Sequence, residues 1–502
     1  MNTTTVLEDE IAAAPAVQRC IEPSCGACYE LAARLYVCAR CGGLLDVVRD
    51  LAEKDHAGSV KGSDSVVKAT GAALRKLWEE RLASPDYRDR SGVWRYRELL
   101  PFDDETCVVS LMEGNTPIYD APRSAGYCGL DRLKLKHQGC NPTGSFKDTG
   151  MTAAVTQALR LKVETVVCAS TGNTSASLAA YAARADLKCA ILVPHGQISH
   201  AKLAQSLDYG AAVLELDGNF DDAMRVIREL AEDESFYLVN SINPFRIEGQ
   251  KTVAVEMLQQ LAWEVPDHVV VPGGNLGNSA ALGKGLLELY ALGVIDRLPK
   301  LTVVQAAGAA PFAQMFAGGI PFGSPASANY DWSLEALQLR PIEHPQTLAS
   351  AIKIGSPVSW KKARRAVIET GGRVLSVSEQ EIADAKAIIG RDGIGCEPAS
   401  ATTIAGLKVL VAEGFVGAGE NVVAVLTGHV MKDADYAINY HRGTLVSHSL
   451  APDGSAEEQH LDSTFANPPA RIKATRKAIV DQLARRAEDS SGQAGRGRPV
   501  LT

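Results

Sequence analysis

Between Leu133 and about residue 430 the chain alternates short, continuously apolar runs with longer amphipathic ones. The apolar runs include Thr165–Ser170, Cys189–Pro194, Ala212–Leu216, His268–Pro272, Leu301–Gln305 and Val422–Leu426. A strand reads this way when both faces of its sheet are covered, and the intervening stretches are long enough to form the covering helices. The pattern predicts parallel sheets in α/β units, with ligands at the carboxyl ends of strands. Elsewhere the signals weaken. The first 17 residues are polar and Ala/Pro-rich without period, and read as a loose arm. Residues 49–132 carry helical and loop patterns in which Trp78, Trp94 and Tyr96 are expected to pack. Beyond residue 443 strand signals stop, and Ala470–Arg486 reads as one exposed basic helix in a partly disordered tail, 443–502.

A length of 502 residues predicts several domains, roughly three. With 46% hydrophobic and 22% charged residues the chain is of ordinary globular composition. Its net charge of -8 argues against nucleic acid as a partner. No apolar run reaches the roughly 18 residues of a membrane span, and the N-terminus lacks the basic start and apolar stretch of a signal peptide. The expected compartment is therefore the cytoplasm, where the cysteines stay reduced.

Four segments carry candidate chemistry. Asn141-Pro-Thr-Gly-Ser-Phe-Lys147-Asp148 places one lysine in a strand-to-helix turn with apolar neighbours. An amine held there in its neutral form is a nucleophile toward an aldehyde, although a lone lysine at a helix start is more often a surface residue. Gly273-Gly-Asn-Leu-Gly277-Asn278 follows an apolar strand and precedes a helical run, so its backbone N–H groups and the helix dipole favour a phosphate. Spacing excludes a nucleotide P-loop, because Gly277 is followed by Gly283-Lys284-Gly285 at the wrong interval. Ser170-Thr-Gly-Asn-Thr-Ser-Ala-Ser177 supplies more small donors and acceptors than one helix cap requires. Asn240-Ser-Ile-Asn-Pro-Phe-Arg246 sets one arginine among amide and hydroxyl groups, a set suited to a phosphate dianion.

Five cysteines crowd the first 41 residues. Cys38-Ala-Arg-Cys41 has the spacing of a zinc knuckle, and the upstream pair is either Cys25 with Cys28 or Cys20 with Cys25. Gly26 follows Cys25 as Gly42 follows Cys41, which favours Cys20, Cys25, Cys38 and Cys41, with Cys28 as a spare. A closed site of four thiolates predicts a structural zinc without catalytic work.

Taken in order, the Lys147 turn, the Ser170 loop, the Gly273 cradle and the terminal Thr427-Gly-His429 resemble pyridoxal-phosphate enzymes of the tryptophan-synthase β fold type. Within that group the chain resembles the threonine synthases, through Glu113-Gly-Asn-Thr-Pro117, the Asn141–Asp148 motif, Asn240 to Lys251 and the cysteine ribbon. The resemblance covers residues 18 to 440 or so. It implies two parallel-sheet three-layer α/β domains with the cofactor between them: a large one from 133–162 and 246–442, and a small one from 163–245. The ribbon would span 18–48.

By the same resemblance Lys147 carries pyridoxal 5'-phosphate covalently and moves protons. Asn173 meets the cofactor's phenolic oxygen, Gly273, Gly274, Asn275, Gly277 and Asn278 hold its phosphate, and Thr427 is the neutral partner of its ring nitrogen. Thr171, Thr174, Asn240, Ser241 and Arg246 face the substrate. The implied activity is a lyase in threonine biosynthesis, converting O-phospho-L-homoserine and water to L-threonine and phosphate. The alternative is a β-replacing or dehydrating relative, cysteate-synthase-like or threonine-dehydratase-like. A homodimer is also implied. The chain departs from the pattern at Thr149, where many members carry arginine, and at the extra Cys28.

Overall fold

The computed structural model describes residues 16–49, 64–103, 105–195, 200–218, 220–317, 338–450 and 456–493. It begins with an antiparallel ribbon of β1 (Ala16–Cys20), β2 (Cys28–Tyr29) and β3 (Leu45–Arg49), with β1 in the middle. The segment expected only to pack adds β4 (Ile118–Asp120), antiparallel to β5 (Lys134–His137). Helix α1 (Lys147–Arg160) then leads through β6 (Thr165–Ala169), α2 (Asn173–Arg184), β7 (Lys188–Pro194), β8 (Ala212–Leu216) and β9 (Phe236–Leu238). These four strands form a parallel sheet in the order β8-β7-β6-β9.

Helix α3 (Pro244–Gln260) returns the chain to the first sheet. There it adds β10 (His268–Pro272), α4 (Gly277–Ala291), β11 (Lys300–Ala306), α5 (Trp360–Glu369), β12 (Val374–Val377), α6 (Pro398–Ala412) and β13 (Val422–Leu426). The six strands run β12-β11-β10-β13-β5-β4, all parallel except for the β4 edge.

Alternation along the strands explains why their sequences are apolar throughout. In β10, Val269 and Val271 join one core with Leu258 of α3 and Leu282 of α4, while Val270 joins the opposite core with Ile404 and Leu407 of α6. The small sheet repeats the device: Val166 and Cys168 face one cluster, Val167 and Ala169 the other. Since successive side chains point to opposite faces, a strand with helices on both sides turns nearly every side chain into a core.

Trp78, Trp94 and Tyr96 are fully buried, in keeping with the packing expected of their segment. Three sequence expectations are corrected. Residues 16 and 17, assigned to the arm, already belong to β1, while residues 1–15 lie outside the described part. Beyond residue 443 an antiparallel hairpin forms, β14 (Val446–Leu450) with β15 (Ala456–His460). Its strands carry Ser, His, Glu and Gln instead of an apolar run, so a search for apolar strands passes over them. The tail helix runs Arg476–Gln493, later than the basic stretch suggested, and Thr475 caps its start, its Oγ1 accepting from Ala478 N–H at 3.2 Å. Among the described residues no helix is long and apolar enough to cross a membrane.

The ribbon is fastened to the larger sheet by charge. Asp46 of β3 accepts from Lys284 of α4 at 3.1 Å and from Lys362 of α5 at 3.3 Å, and Lys361 pairs with Glu22 at 2.5 Å. The two lysines hold the Asp46 carboxyl well below the carboxylate range against the effect of its burial.

Candidate active site

The Lys147 turn lies between the ends of β5 and β13. Phe146 N–H donates to Thr427 O at 2.9 Å and His429 N–H to Gly144 O at 2.9 Å, which ties the turn to the residues that follow β13. Gly144 has φ +83°, a left-handed conformation that glycine adopts without strain. Asp148, fully buried, accepts from Thr143 N–H at 2.7 Å, Thr143 Oγ1 at 2.6 Å and Ser177 Oγ at 2.6 Å. Burial pushes its carboxyl up to about 6 against these donors. The lysine one residue earlier is thereby fixed at the first position of α1, its Nζ 4.2 Å from the centroid of the Phe146 ring. Loss of water holds the Lys147 ammonium down, to about 7, with the Arg246 guanidinium adding to the effect and Glu397 opposing it. A large fraction of this amine is neutral near neutral pH, the state that attacks an aldehyde.

Across the cleft, Asn173 opens α2 at the carboxyl end of β6. Its Nδ2 donates to Glu397 Oε2 at 3.0 Å, while its Oδ1 is buried with no partner. Thr427, just past β13, donates from Oγ1 to Glu397 Oε1 at 2.8 Å. Lys147, Asn173 and Thr427 thus gather around one buried carboxylate that sequence reading missed. Its local signal was an acid set before Pro398 at the start of an almost wholly apolar helix.

The third wall is the turn from β10 into α4. Leu276 is left-handed at φ +62°, and the backbone is crowded at Gly273 and Gly274. A Cβ at Gly273 would stand 2.6 Å from Val303 Cγ1, and one at Gly274 3.1 Å from Ile352 Cγ2. At Gly277, the first residue of α4, nothing lies within 3.8 Å, so space remains in front of the helix. Asn278 is buried with both amide atoms unpartnered. Asn275 instead braces the loop, donating to Ser241 Oγ at 2.6 Å and accepting from Val358 N–H at 2.5 Å.

Thr171, Thr174 and Ser241 are half-buried at these strand ends. Asn240 also serves the framework: its amide accepts from Ala169 N–H at 3.0 Å and donates to Ala169 O at 2.8 Å, splicing the ends of β6 and β9. Arg246 is buried in α3, with Nη1 donating to Val239 O at 3.4 Å and Nε unpartnered. Burial lowers its guanidinium to about 10, and no carboxylate among the described residues pairs with it.

In the ribbon, the Sγ atoms of Cys20, Cys25, Cys38 and Cys41 lie within 4.8 Å of one another. Four sulfurs so placed could hold one tetrahedral metal ion. Cys28 is exposed, and its Sγ contacts Gly26 O at 3.5 Å.

A desolvated lysine, a helix N-terminus with open space before it, and orphaned amide atoms at Asn173 and Asn278 fit an aromatic aldehyde that carries a phosphate. That ligand class is pyridoxal phosphate, and the family described as pyridoxal-phosphate dependent enzyme matches residues 109–428. The threonine synthase of Methanocaldococcus jannaschii is 45% identical over 424 residues, 84% of this chain and 94% of its own length. That of Mycobacterium tuberculosis is 46% identical over 345 residues, 68% of this chain and 89% of its own. A solved tomato threonine deaminase has the same fold, with TM-score 0.53 and 19% identity over 73% of this chain and 88% of its own. The chain belongs to the threonine synthase family of pyridoxal-phosphate dependent lyases.

Proposed function

We propose that the protein converts O-phospho-L-homoserine and water to L-threonine and inorganic phosphate. The observation that carries this reading is Arg246. A buried guanidinium close enough to depress Lys147, paired with no acid among the described residues, is a second site for an anion beyond the Gly273–Asn278 cradle. A substrate with its own phosphate supplies that anion, whereas free serine or threonine does not.

Lys147 and Asn173 would hold the cofactor at its aldehyde and phenolic ends, the backbone of Gly273, Gly274, Gly277 and Asn278 its phosphate, and Thr427 its ring nitrogen. When bound, pyridoxal phosphate supplies the electron-accepting ring that acidifies the hydrogens next to the amino carbon. Lys147 takes the α-hydrogen as its neutral amine and then moves the β-hydrogen. Arg246, with Thr174, Ser241 and Asn275, binds the substrate phosphate and stabilises it as it leaves the γ-carbon. Thr171 orients the carboxylate. One of the two protons taken up is delivered to the γ-carbon, which becomes the methyl group; water adds its hydroxyl at the β-carbon, and a proton held by Lys147 returns to the α-carbon. The resemblance also carries a cytoplasmic homodimer into this proposal, which light scattering on the purified protein tests.

The deciding assay measures phosphate released from phosphohomoserine beside ammonia released from threonine and turnover of phosphoserine. Phosphate release with threonine as product is the expected result. Ammonia or β-replacement products without phosphate release from phosphohomoserine would assign the chain to the dehydrating or β-replacing relatives.

A further inference from the structure

A cavity of about 120 Å³ lies behind the cleft, against the helices Glu379–Arg391 and Ala434–Arg442. Ala387, Ile394, Val430 and the ring of Tyr436 give it an apolar wall, and the half-buried Lys386 and His441 give it a polar end. Among the described residues no carboxylate lines it. Its remaining boundary is Gly395-Cys396, the two residues before Glu397.

The polar end suits an anion. Lys386 Nζ lies 5.9 Å from the centroid of the Tyr436 ring and pairs with no acid among the described residues. The nearby acids are engaged elsewhere: Asp433 accepts from Lys202 Nζ at 3.3 Å and from Ser350 Oγ at 3.0 Å, and Asp384 accepts from Tyr440 Oη at 2.8 Å. Burial lowers the Lys386 ammonium from its ordinary value, with Cys396 and Asp433 opposing, so an arriving anion would restore the charge that burial disfavours. His441 Nδ1 accepts from Asn467 N–H at 3.0 Å, which puts the ring hydrogen on Nε2 and leaves it to donate. Burial lowers this imidazole too, and Lys386 and Arg391 add to the effect.

We propose that this cavity is a binding site for a short aliphatic carboxylate without an amino group, and that its occupant is felt in the cleft through Cys396 and Glu397. An apolar cavity of about 150 Å³ takes benzene, so the room here suits about five or six non-hydrogen atoms. The carboxylate meets Lys386 and His441 while the hydrocarbon covers the apolar wall. The ammonium of an amino acid would find no acid there. The path to the cleft is short. Gly395 O accepts from His137 Nε2 at 2.9 Å, Cys396 bridges to His429, and Glu397 N–H donates to Gly428 O at 2.9 Å. The Glu397 side chain in turn accepts from Asn173 and Thr427. The coupling rests on the reading in which those two side chains face the cofactor.

The test is calorimetric titration of the full-length protein with isobutyrate, which is expected to bind with a dissociation constant of about 1 mM, in the range open to a ligand of six non-hydrogen atoms. Isobutyramide keeps the shape without the charge, and 2-aminoisobutyrate adds the ammonium; each should bind cofactor-free protein at least about tenfold more weakly. Lys386→Met should weaken isobutyrate by a similar factor. Should that variant not fold, the amide and the amino acid still decide the ligand class in wild type. Isobutyrate affinity should also differ about fivefold between cofactor-free and cofactor-loaded wild type, since coupling between two sites is reciprocal. No binding of isobutyrate, equal binding of the amide or the amino acid, or unchanged binding in Lys386→Met overturns the site. Equal affinity with and without cofactor overturns the coupling. None of these titrations contains phosphohomoserine, so a failure of the proposed reaction shows in the phosphate assay and not here.

Discussion

The cysteine ribbon and the cleft meet the same helices but are ordered by different means. In the ribbon the buried apolar cluster amounts to Leu45 with Cys20 and Cys38, too little to fix a fold, and four thiols converge in its place. Around the cleft the large cores of both sheets fix the backbone segments that reach the site. Polar atoms there can stay without partners, as in Asn173 and Asn278, because their cost is carried by the packing behind them. Order from sulfur leaves nothing over for a ligand, whereas order from burial does. The two regions also touch: Lys284, which grips Asp46 of the ribbon, lies two turns along the helix whose first residues form the phosphate cradle.

If the regions are separate in function, each should fail alone. Lys147→Ala should lower phosphate release from phosphohomoserine by about 10⁴-fold or more, with metal content and thermal unfolding unchanged. A variant that also lost its metal would join the two regions. Cys38→Ser should do the reverse. Metal analysis should fall from about one ion per chain to none, and the ribbon should become sensitive to protease. The cleft should keep the bulk of its activity; complete inactivation would mean that the contact through Asp46 and Lys284 sets the shape of the cradle.

Arg246→Ala sharpens the cleft side of the comparison. It should lower kcat/KM for phosphohomoserine about 100-fold, close to the 3 kcal/mol of a lost charged contact, while cofactor affinity is unchanged. Equal losses in both would place Arg246 at the cofactor and leave the second anion without its residue.

A smaller effect is expected from pH. The rate at which cofactor-free protein captures pyridoxal phosphate should rise about tenfold between pH 6 and pH 8, because the neutral fraction of Lys147 rises with a midpoint of about 7. The folded value is depressed, so between about 7 and the ordinary lysine value of 10.5 the unfolded chain binds more protons. Lys147 accordingly makes cofactor-free protein more stable as pH rises through that window. A capture rate that climbs only near the ordinary lysine value would show the amine to be solvated.

How much of this could be read from the chain alone depends on distance along it. The parallel sheets were legible because doubly covered strands write their burial locally, as β10 and β13 do at every residue. The lysine turn and the cradle were legible for the same reason, each being a strand, a glycine-bearing turn and a helix start in continuous sequence. Glu397 was not, because it reaches Asn173 across 224 residues and has no motif of its own. Asn240 is a different case: its segment was found, but residue type does not reveal that its amide also splices Ala169 into a sheet end. The hairpin of β14 and β15 was missed because neither strand is apolar.

The smallest expected effect tests the ribbon most finely. Cys28 lies between two cysteines of the converging set and is spaced from Cys25 as Cys41 is from Cys38, so spacing alone made it a candidate ligand. Its place on the short edge strand β2 turns it outward: it is exposed, and its sulfur reaches only the Gly26 carbonyl, at 3.5 Å. A tetrahedral ion has no use for a fifth thiol. Cys28→Ser should therefore keep about one metal ion per chain and shift stability by no more than about 0.5 kcal/mol, as for other exposed positions. Loss of metal in this variant, with retention in Cys20→Ser, would exchange the two cysteines and reverse the choice of upstream pair.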